Sequence, residues 1–144
     1  MRPITEVLVA VQKSDRVLNR MMTETARNLG VTKPEMDVLL FLYNNPQYDK
    51  AADVSELRFL AKSYVSKAVD LLQKRGYLQV QNDEKDRRVM RLKLTPAADP
   101  LIAAGNETRE RFLKILFEGV SQEELQTMQK IHQKMMENLE RNLQ

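Results

Sequence analysis

Apolar residues recur at helical spacing along most of this chain, and only two short stretches alternate as strands do. Those stretches are YLQVQ at residues 77–81 and VMRLKLT at residues 89–95. The seven residues between them, Asn82 to Arg88, form a highly charged loop that is longer than a tight hairpin turn requires. The sequence therefore predicts a mainly α-helical protein with one small β-hairpin.

Helix start and stop signals divide the remaining chain into six helices. The predicted helices cover residues 4–29, Thr32 to about 44, Ala52 to Phe59, Lys62 to about 75, a long segment that ends near Glu118, and a last helix that opens at residues 121–124. In the third helix, Val54 and Leu57 are predicted to face inward.

Capping signals support several of these boundaries. Thr32 with Glu35, and Ser121 with Glu124, have the spacing of capping boxes. The start of the fifth helix stays open, because Thr95-Pro96 and Asp99-Pro100 are both start signals. A proline inside a helix removes a hydrogen bond, so this helix either begins at Asp99 or is kinked there.

Long amphipathic helices flank the middle of the chain and lie far apart in sequence. Their apolar stripes must be buried, and a partner chain is the simplest way to cover them. The alternative is that they pack only on each other within one chain. We predict one structural domain overall, with an N-terminal dimerisation helix at residues 1–30, a compact central lobe at 31–98 and C-terminal dimerisation helices at 99–144.

Positive charge is concentrated in the middle of the chain. The net charge is only +3, but residues 58–93 hold 10 Lys and Arg against 4 Asp and Glu, a balance of +6. Such asymmetry can mark a surface that binds a polyanion. The alternative is a solvated basic face without a partner.

The fourth helix has a polar face suited to DNA. Val65, Val69 and Leu72 fall on one side, and small hydroxyls with a lysine occupy the other side of the first two turns. With the short helix before it, this helix makes a helix-turn-helix, and the hairpin behind it makes a winged variant. The loop at the hairpin tip can then place arginines in an adjacent minor groove, with Asp86 pairing to one of them.

The stretches KSYVSKAVDLLQKRGYL and NDEKDRRVMRLKLTP resemble the recognition helix and wing of the MarR (multiple antibiotic resistance regulator) family of bacterial transcription factors. The resemblance covers essentially the whole chain. Its most specific part is the wing pattern of Asp83, Asp86 and Arg88, with Leu94-Thr95 closing the second strand. The resemblance implies a winged helix-turn-helix flanked by N- and C-terminal dimerisation helices.

The resemblance also implies a function and site residues. Many members are homodimeric repressors that bind double-stranded DNA and release it when a small aromatic or anionic ligand binds. The expected major-groove residues are Lys62, Ser63, Tyr64, Ser66 and Lys67. The expected minor-groove residues are Lys85, Asp86, Arg87 and Arg88, with Arg58 and Lys74 on the DNA backbone. The ligand site itself is not located by the sequence.

Two departures from the family pattern are visible. Ala61 stands where the family often has a Ser or Thr that caps the recognition helix, and PAADP stands where a Gly usually follows Leu-Thr. A missing cap costs about 1 kcal/mol, so we expect that helix end to be more mobile before DNA binds.

Other function classes have little support in the sequence. The chain has no Gly-rich phosphate loop and no Gly-x-Ser-x-Gly motif, so we expect no enzymatic activity. One histidine, His132, and no cysteine argue against a metal site, a thiol redox sensor or a cofactor. No apolar run approaches the roughly 20 residues that span a bilayer, and we expect a cytoplasmic protein with no membrane contact. The rival from another class is a helical dimer that binds a protein and never touches DNA.

Overall fold

The computed structural model describes residues 2–143 of the 144-residue chain. The elements are α1 (Pro3–Asn28), α2 (Lys33–Asn44), α3 (Ala51–Leu57), α4 (Lys62–Lys74), β1 (Leu78–Asn82), β2 (Met90–Leu94), a 3-10 turn (Pro96–Ala98), α5 (Asp99–Leu116) and α6 (Gln122–Leu143). They divide into two units, one up to Phe112 and one from Leu113 onward. The predicted fold class, mainly helical with a two-stranded hairpin, is confirmed.

The core of the first unit is built around α2. Every residue from Glu35 to Leu42 is buried, so this helix is surrounded on all sides. Residue Gly105 of α5 approaches it closely, since a Cβ there would lie 2.9 Å from side-chain atoms of both Leu40 and Met36. At that crossing α5 packs so closely onto α2 that a side chain at position 105 would displace its neighbours.

Both predicted capping boxes are present. Glu35 N donates to Thr32 Oγ1 at 3.3 Å, and Thr32 N donates to Glu35 Oε1 at 3.0 Å. In the second unit, Ser121 N donates to Glu124 Oε2 at 2.8 Å, and Glu124 N donates to Ser121 Oγ at 3.2 Å. The hydrogen bonds hold the pKa of Glu124 below its usual value. These short-range signals locate the starts of α2 and α6.

The third helix is shorter than predicted. It ends at Leu57 rather than Phe59, and Leu57 is 49% exposed, so the prediction that it faces inward is wrong. The chain reverses at Phe59, which has a φ of 52°, and this reversal brings Leu60 against the core instead.

The start of α5 is resolved in favour of Asp99. Residues Pro96–Ala98 form a 3-10 turn, and α5 follows directly. Thr95 does not cap this turn with its side chain, contrary to expectation, because its hydroxyl donates to the carbonyl oxygen of Gly76 instead.

The hairpin is antiparallel, with Leu78 opposite Leu94 and Asn82 opposite Met90. A third segment joins it, since Lys50 forms an isolated bridge with Arg91 and Leu92 N donates to the carbonyl oxygen of Asp49 at 2.7 Å. The segment before α3 therefore holds the second wing strand against the helix-turn-helix.

Apolar stripes on the long helices are exposed. On α1, Ile4, Val7, Leu8 and Val11 are each 52–66% exposed. On α6, Met128, Ile131, Met135 and Leu139 are each 45–55% exposed. Within residues 2–143, no helix is long and apolar enough to cross a membrane.

Candidate nucleic-acid interface

The fourth helix buries the face that the sequence predicts. Val65, Ala68, Val69 and Leu72 are all at most 2% exposed. The other face is open to solvent and carries five of the predicted DNA-contacting residues: Lys62, Ser63, Ser66, Lys67 and Lys74. No side-chain cap supports the first turn, because its N-cap residue is Ala61.

Tyr64 differs from its neighbours on this helix. It is half-buried, and its hydroxyl donates to Asp37 Oδ2 of α2 at 3.0 Å. Burial, and then the negative charge of Asp37, raise the pKa of Tyr64 to about 12. The carboxylate of Asp37 is only 6% exposed and also accepts from Lys33 Nζ at 2.7 Å. The Tyr64 hydroxyl is thus engaged with α2 in this structure.

The other end of α4 is also tied to α2. The guanidinium of Arg75 lies 3.4 Å from Glu35 Oε2, and its Nη2 donates to the carbonyl oxygen of Gly30 at 2.7 Å. Glu35 is 1% exposed, so this arginine compensates a buried carboxylate. Carboxylates of α2 therefore hold both ends of the recognition helix.

Asp83 organises the wing. Its Oδ2 accepts from the backbone N–H groups of Lys85 and Asp86, both at 3.2 Å, and its Oδ1 accepts from Arg91 Nε at 2.8 Å. The bond from Arg91 and the backbone donors hold the pKa of Asp83 below its usual value. Arg91 also donates from Nη1 to Asp49 Oδ1 at 2.7 Å, which links the wing to the segment before α3.

The pairing expected between Asp86 and an arginine is present. Asp86 Oδ1 accepts from the backbone N–H of Arg88 at 3.1 Å and from its Nε at 3.2 Å. The Arg88 side chain is 92% exposed, so the carboxylate limits its direction without covering it. Lys85 and Arg87 are exposed at the same tip. The contact of these residues with a minor groove stays a prediction.

A cavity of about 310 Å³ brings the recognition helix and the wing together. Its walls are mainly apolar, and α3, α4 and the wing all contribute to them. The residues that line it include Lys50, Lys62, Ser66 and Arg88. Ser66 of α4 and Arg88 of the wing, 22 positions apart in sequence, thus line one surface. A protein that contacts a major and a minor groove together requires such a surface.

Arg58 lies beside the start of α4. Its positive charge acts on the pKa of Tyr64 and on that of Arg109, a half-buried residue of α5. Desolvation by burial, and then the charge of Arg58, lower the pKa of Arg109, while Asp37 opposes the change. The sequence did not single out Arg109, because burial of one helix residue among several exposed charges leaves no local signal.

Sequence reasoning also missed Asp49 and Arg91 as supports of the wing. Arg91 stands on a strand position that reads as an ordinary exposed residue, and its partner Asp49 is 42 residues away. Among residues 2–143, no group of three or more His, Cys, Asp or Glu side chains is placed to hold a metal ion.

A short helix, a turn, an exposed second helix and a two-stranded wing define a winged helix-turn-helix protein. The model of the MarR family matches residues 29–89. A curated relative, the uncharacterized HTH-type transcriptional regulator YsmB of Bacillus subtilis, is 25% identical over 140 residues, which are 94% of this chain and 95% of YsmB. This chain is therefore similar to MarR-family proteins over residues 29–89, and to a relative named as an HTH-type transcriptional regulator over 94% of its length.

Solved structures of MarR proteins have the same fold. A MarR transcriptional regulator from Methanosarcina mazei Go1 superimposes with a TM-score of 0.79 at 22% identity, covering 93% of this chain and 96% of that one. A MarR protein from Peptoclostridium difficile has a TM-score of 0.79 at 25% identity, covering 94% and 88%. The heme sensor PefR of Streptococcus agalactiae, in complex with heme, has a TM-score of 0.54 at 23% identity, covering 96% and 94%.

Proposed function

We propose that this protein is a MarR-family transcription regulator, a homodimeric repressor that binds a pseudo-palindromic DNA duplex and releases it when a small aromatic or anionic ligand binds. The observation that carries the DNA-binding part is the shared surface of α4 and the wing, where Lys62, Ser66 and Arg88 line one cavity. In this proposal Lys62, Ser63, Tyr64, Ser66 and Lys67 face a major groove, Lys85, Asp86, Arg87 and Arg88 serve the minor groove, and Arg58 and Lys74 contact the backbone.

The wing is organised before any DNA arrives. Asp86 restrains Arg88 through two hydrogen bonds, and Asp83 fixes the loop that carries both. A restrained arginine loses less conformational entropy on binding than a free one. A narrow A·T-rich minor groove has strong negative potential and attracts such a side chain.

The exposed apolar stripe of α1 supports dimerisation. Ile4, Val7, Leu8 and Val11 occupy one helical stripe and are each more than half exposed in the single chain. Monomeric proteins rarely leave such a contiguous apolar patch in water. A second copy that covers residues 1–30 and 99–144 would bury the stripes and set the spacing between two recognition helices.

The ligand-relief part rests on the family and its fold. A heme sensor shares this fold with its ligand bound, so a small molecule can act on such a scaffold. We propose a small aromatic or anionic ligand for this chain.

Selection of bound sequences from random duplex DNA, repeated at two salt concentrations, tests the DNA-binding part. We expect a pseudo-palindromic site with half-sites about one helical turn apart, and affinity that falls steeply as salt rises. Weak salt dependence with no palindromic preference would instead indicate a protein-binding module.

Arg88→Ala tests the wing on the selected site. Affinity should fall substantially, and most on sites with A·T-rich flanks, because minor-groove potential depends on that sequence. Arg20→Ala, which removes an exposed arginine of α1, serves as a control for the loss of one positive charge once light scattering shows that it keeps the wild-type mass. Equal binding by the Arg88→Ala variant and the wild type would end the minor-groove assignment.

Two further measurements test the homodimer and the ligand-relief parts of the proposal. Light scattering should give twice the mass of one chain, and a monomer would refute the homodimer. A panel of aromatic carboxylates, titrated into the DNA complex and followed by fluorescence anisotropy, should include members that release the duplex. If none does, the ligand-relief part fails while DNA binding stands.

A further inference from the structure

The turn between α3 and α4 displays a fully solvated aromatic ring on a strained backbone. Phe59 is 95% exposed and has a φ of 52°, and it is the one non-glycine residue with positive φ among residues 2–143. Steric clash with its own Cβ disfavours this left-handed conformation for an L-residue. Water also disfavours a bare phenyl ring.

The hydrogen bonds around Phe59 identify a helix-terminating Schellman motif. Leu60 N donates to the carbonyl oxygen of Ser55 at 2.9 Å, and Phe59 N donates to that of Glu56 at 3.4 Å. The motif puts its left-handed residue at the position of Phe59, where glycine is preferred.

This chain uses glycine at its other left-handed turns. Gly30 follows α1, Gly76 follows α4 and Gly119 follows α5, with φ values of 72°, 78° and 78°. Only the turn inside the helix-turn-helix departs from this pattern among the described residues. The backbone hydrogen bonds of the motif would form equally well with glycine, and the exposed phenyl ring makes almost no contact within the chain. A benefit of phenylalanine over glycine therefore points to a partner outside the chain.

The surroundings of Phe59 favour nucleic acid as the outside partner. It lies between Arg58 and the first residue of α4, Lys62, both exposed. Residues 57–69 contain Arg58, Lys62 and Lys67 and no Asp or Glu. Phe59 is therefore an apolar group within a locally basic stretch, which complements a polyanion whose groove also offers apolar methyl groups.

We propose that Phe59 is a specificity-determining residue that contacts the C5-methyl group of a thymine at the edge of the major groove. This proposal rests on the proposed DNA binding. The N-terminal residues of a recognition helix meet base edges, so the residue three positions before its start lies where the helix enters the groove. Apolar contact with a thymine methyl is a known mode of base discrimination, and phenylalanine is among the residues that make it.

The experiment uses the full-length protein and the duplex obtained by the random-sequence selection. Each thymine in one half-site is replaced in turn by deoxyuridine, which lacks only the methyl group. Wild-type affinity should fall by about fourfold at one position per half-site, the size expected for one lost methyl contact. The Phe59→Gly variant should bind the parent duplex more weakly and lose that response to deoxyuridine.

Stability separates this role from a folding defect. Glycine suits a φ of 52°, so Phe59→Gly should melt at the same or a higher temperature than wild type while it binds DNA less well. Tyr43→Ala removes another exposed aromatic ring, 55% exposed on α2, and should keep the wild-type deoxyuridine profile.

Each result decides a different claim. If wild type binds no duplex, the proposed function itself fails. If wild type binds and Phe59→Gly binds equally well, only this inference fails. A uniform loss of affinity in Phe59→Gly with the deoxyuridine response retained, or a change in its oligomeric state, would overturn the thymine assignment.

Discussion

Replacing Tyr64 by phenylalanine removes one hydroxyl from the start of the recognition helix and leaves the ring in place. That hydroxyl donates to Asp37, a carboxylate that is only 6% exposed. A hydrogen bond to a charged group contributes about 1.5–3 kcal/mol. Asp37 keeps its bond from Lys33 and Tyr64 is only half-buried, so we expect a loss near the lower end, about 2 kcal/mol.

Urea denaturation at a fixed protein concentration measures this loss. With an m value of about 2 kcal/mol/M, the midpoint should fall by about 1 M without a change in m. The matched control is Tyr48→Phe, because Tyr48 is 39% exposed and its ring lies 6.5 Å from that of Phe41. Its midpoint should stay close to wild type.

Alkaline titration gives an independent check. The pKa of Tyr64 is raised to about 12 from 10.0, mainly by burial and then by Asp37. The neutral phenol is the stabilised form, so its contribution to stability is complete below pH 10 and is lost as the pH rises toward 12. The absorbance of tyrosinate should show a titration step near pH 12 that the Tyr64→Phe variant lacks. This reasoning would be refuted if Tyr64→Phe and Tyr48→Phe had equal urea midpoints and the Tyr64→Phe variant still showed the titration step near pH 12.

DNA binding by the same variant separates two roles of Tyr64. If the residue positions α4 through Asp37, its loss should weaken all binding sites by a similar factor. If the hydroxyl leaves Asp37 to contact a base, the loss should depend on one base pair of the selected site.

Three further predictions concern stability and the wing. Ala61→Ser should stabilise the fold by about 1 kcal/mol in urea denaturation, since the N-cap residue of α4 has extended geometry but no capping side chain. An unchanged urea midpoint would show that the serine forms no cap. Gly105→Ala should lower the stability of the fold, because overpacking against Leu40 and Met36 costs about 1–3 kcal/mol, while the gain in helix propensity is about 1 kcal/mol. A higher urea midpoint for this variant would contradict the close packing. Because the pKa of Asp83 is lowered, the contribution of its hydrogen bonds to stability is complete above the usual value of 3.8 and is lost as the pH falls through the depressed value. The amide NMR signals of Lys85 and Asp86, which donate to Asp83, should therefore hold their positions down to about pH 4. Shifts of these signals at a higher pH would count against the Asp83 bonds.

Local chemistry explains why most element boundaries could be predicted. The capping box of Thr32 and Glu35 and the glycine stop at Gly30 act within a few residues, so the start of α2 is readable from the sequence. A pairing between Asp86 and one of the wing arginines was likewise expected, and the structure shows it with Arg88, two positions away.

Long-range contacts account for what the sequence did not reveal. The bond between Tyr64 and Asp37 spans 27 positions, and that between Arg91 and Asp49 spans 42. Such partners become neighbours only through the packing of whole elements. The inward orientation expected for Leu57 failed for a related reason, since spacing alone does not reveal that the chain turns back at Phe59.

The ties of α4 at both ends have a mechanical consequence. Tyr64 at its start and Arg75 just past its last turn both bond to α2, through Asp37 and Glu35. Because both ends of α4 are bonded to the buried helix α2, α4 is restrained from moving independently of α2. A displacement of α2 would therefore also move the exposed face of α4.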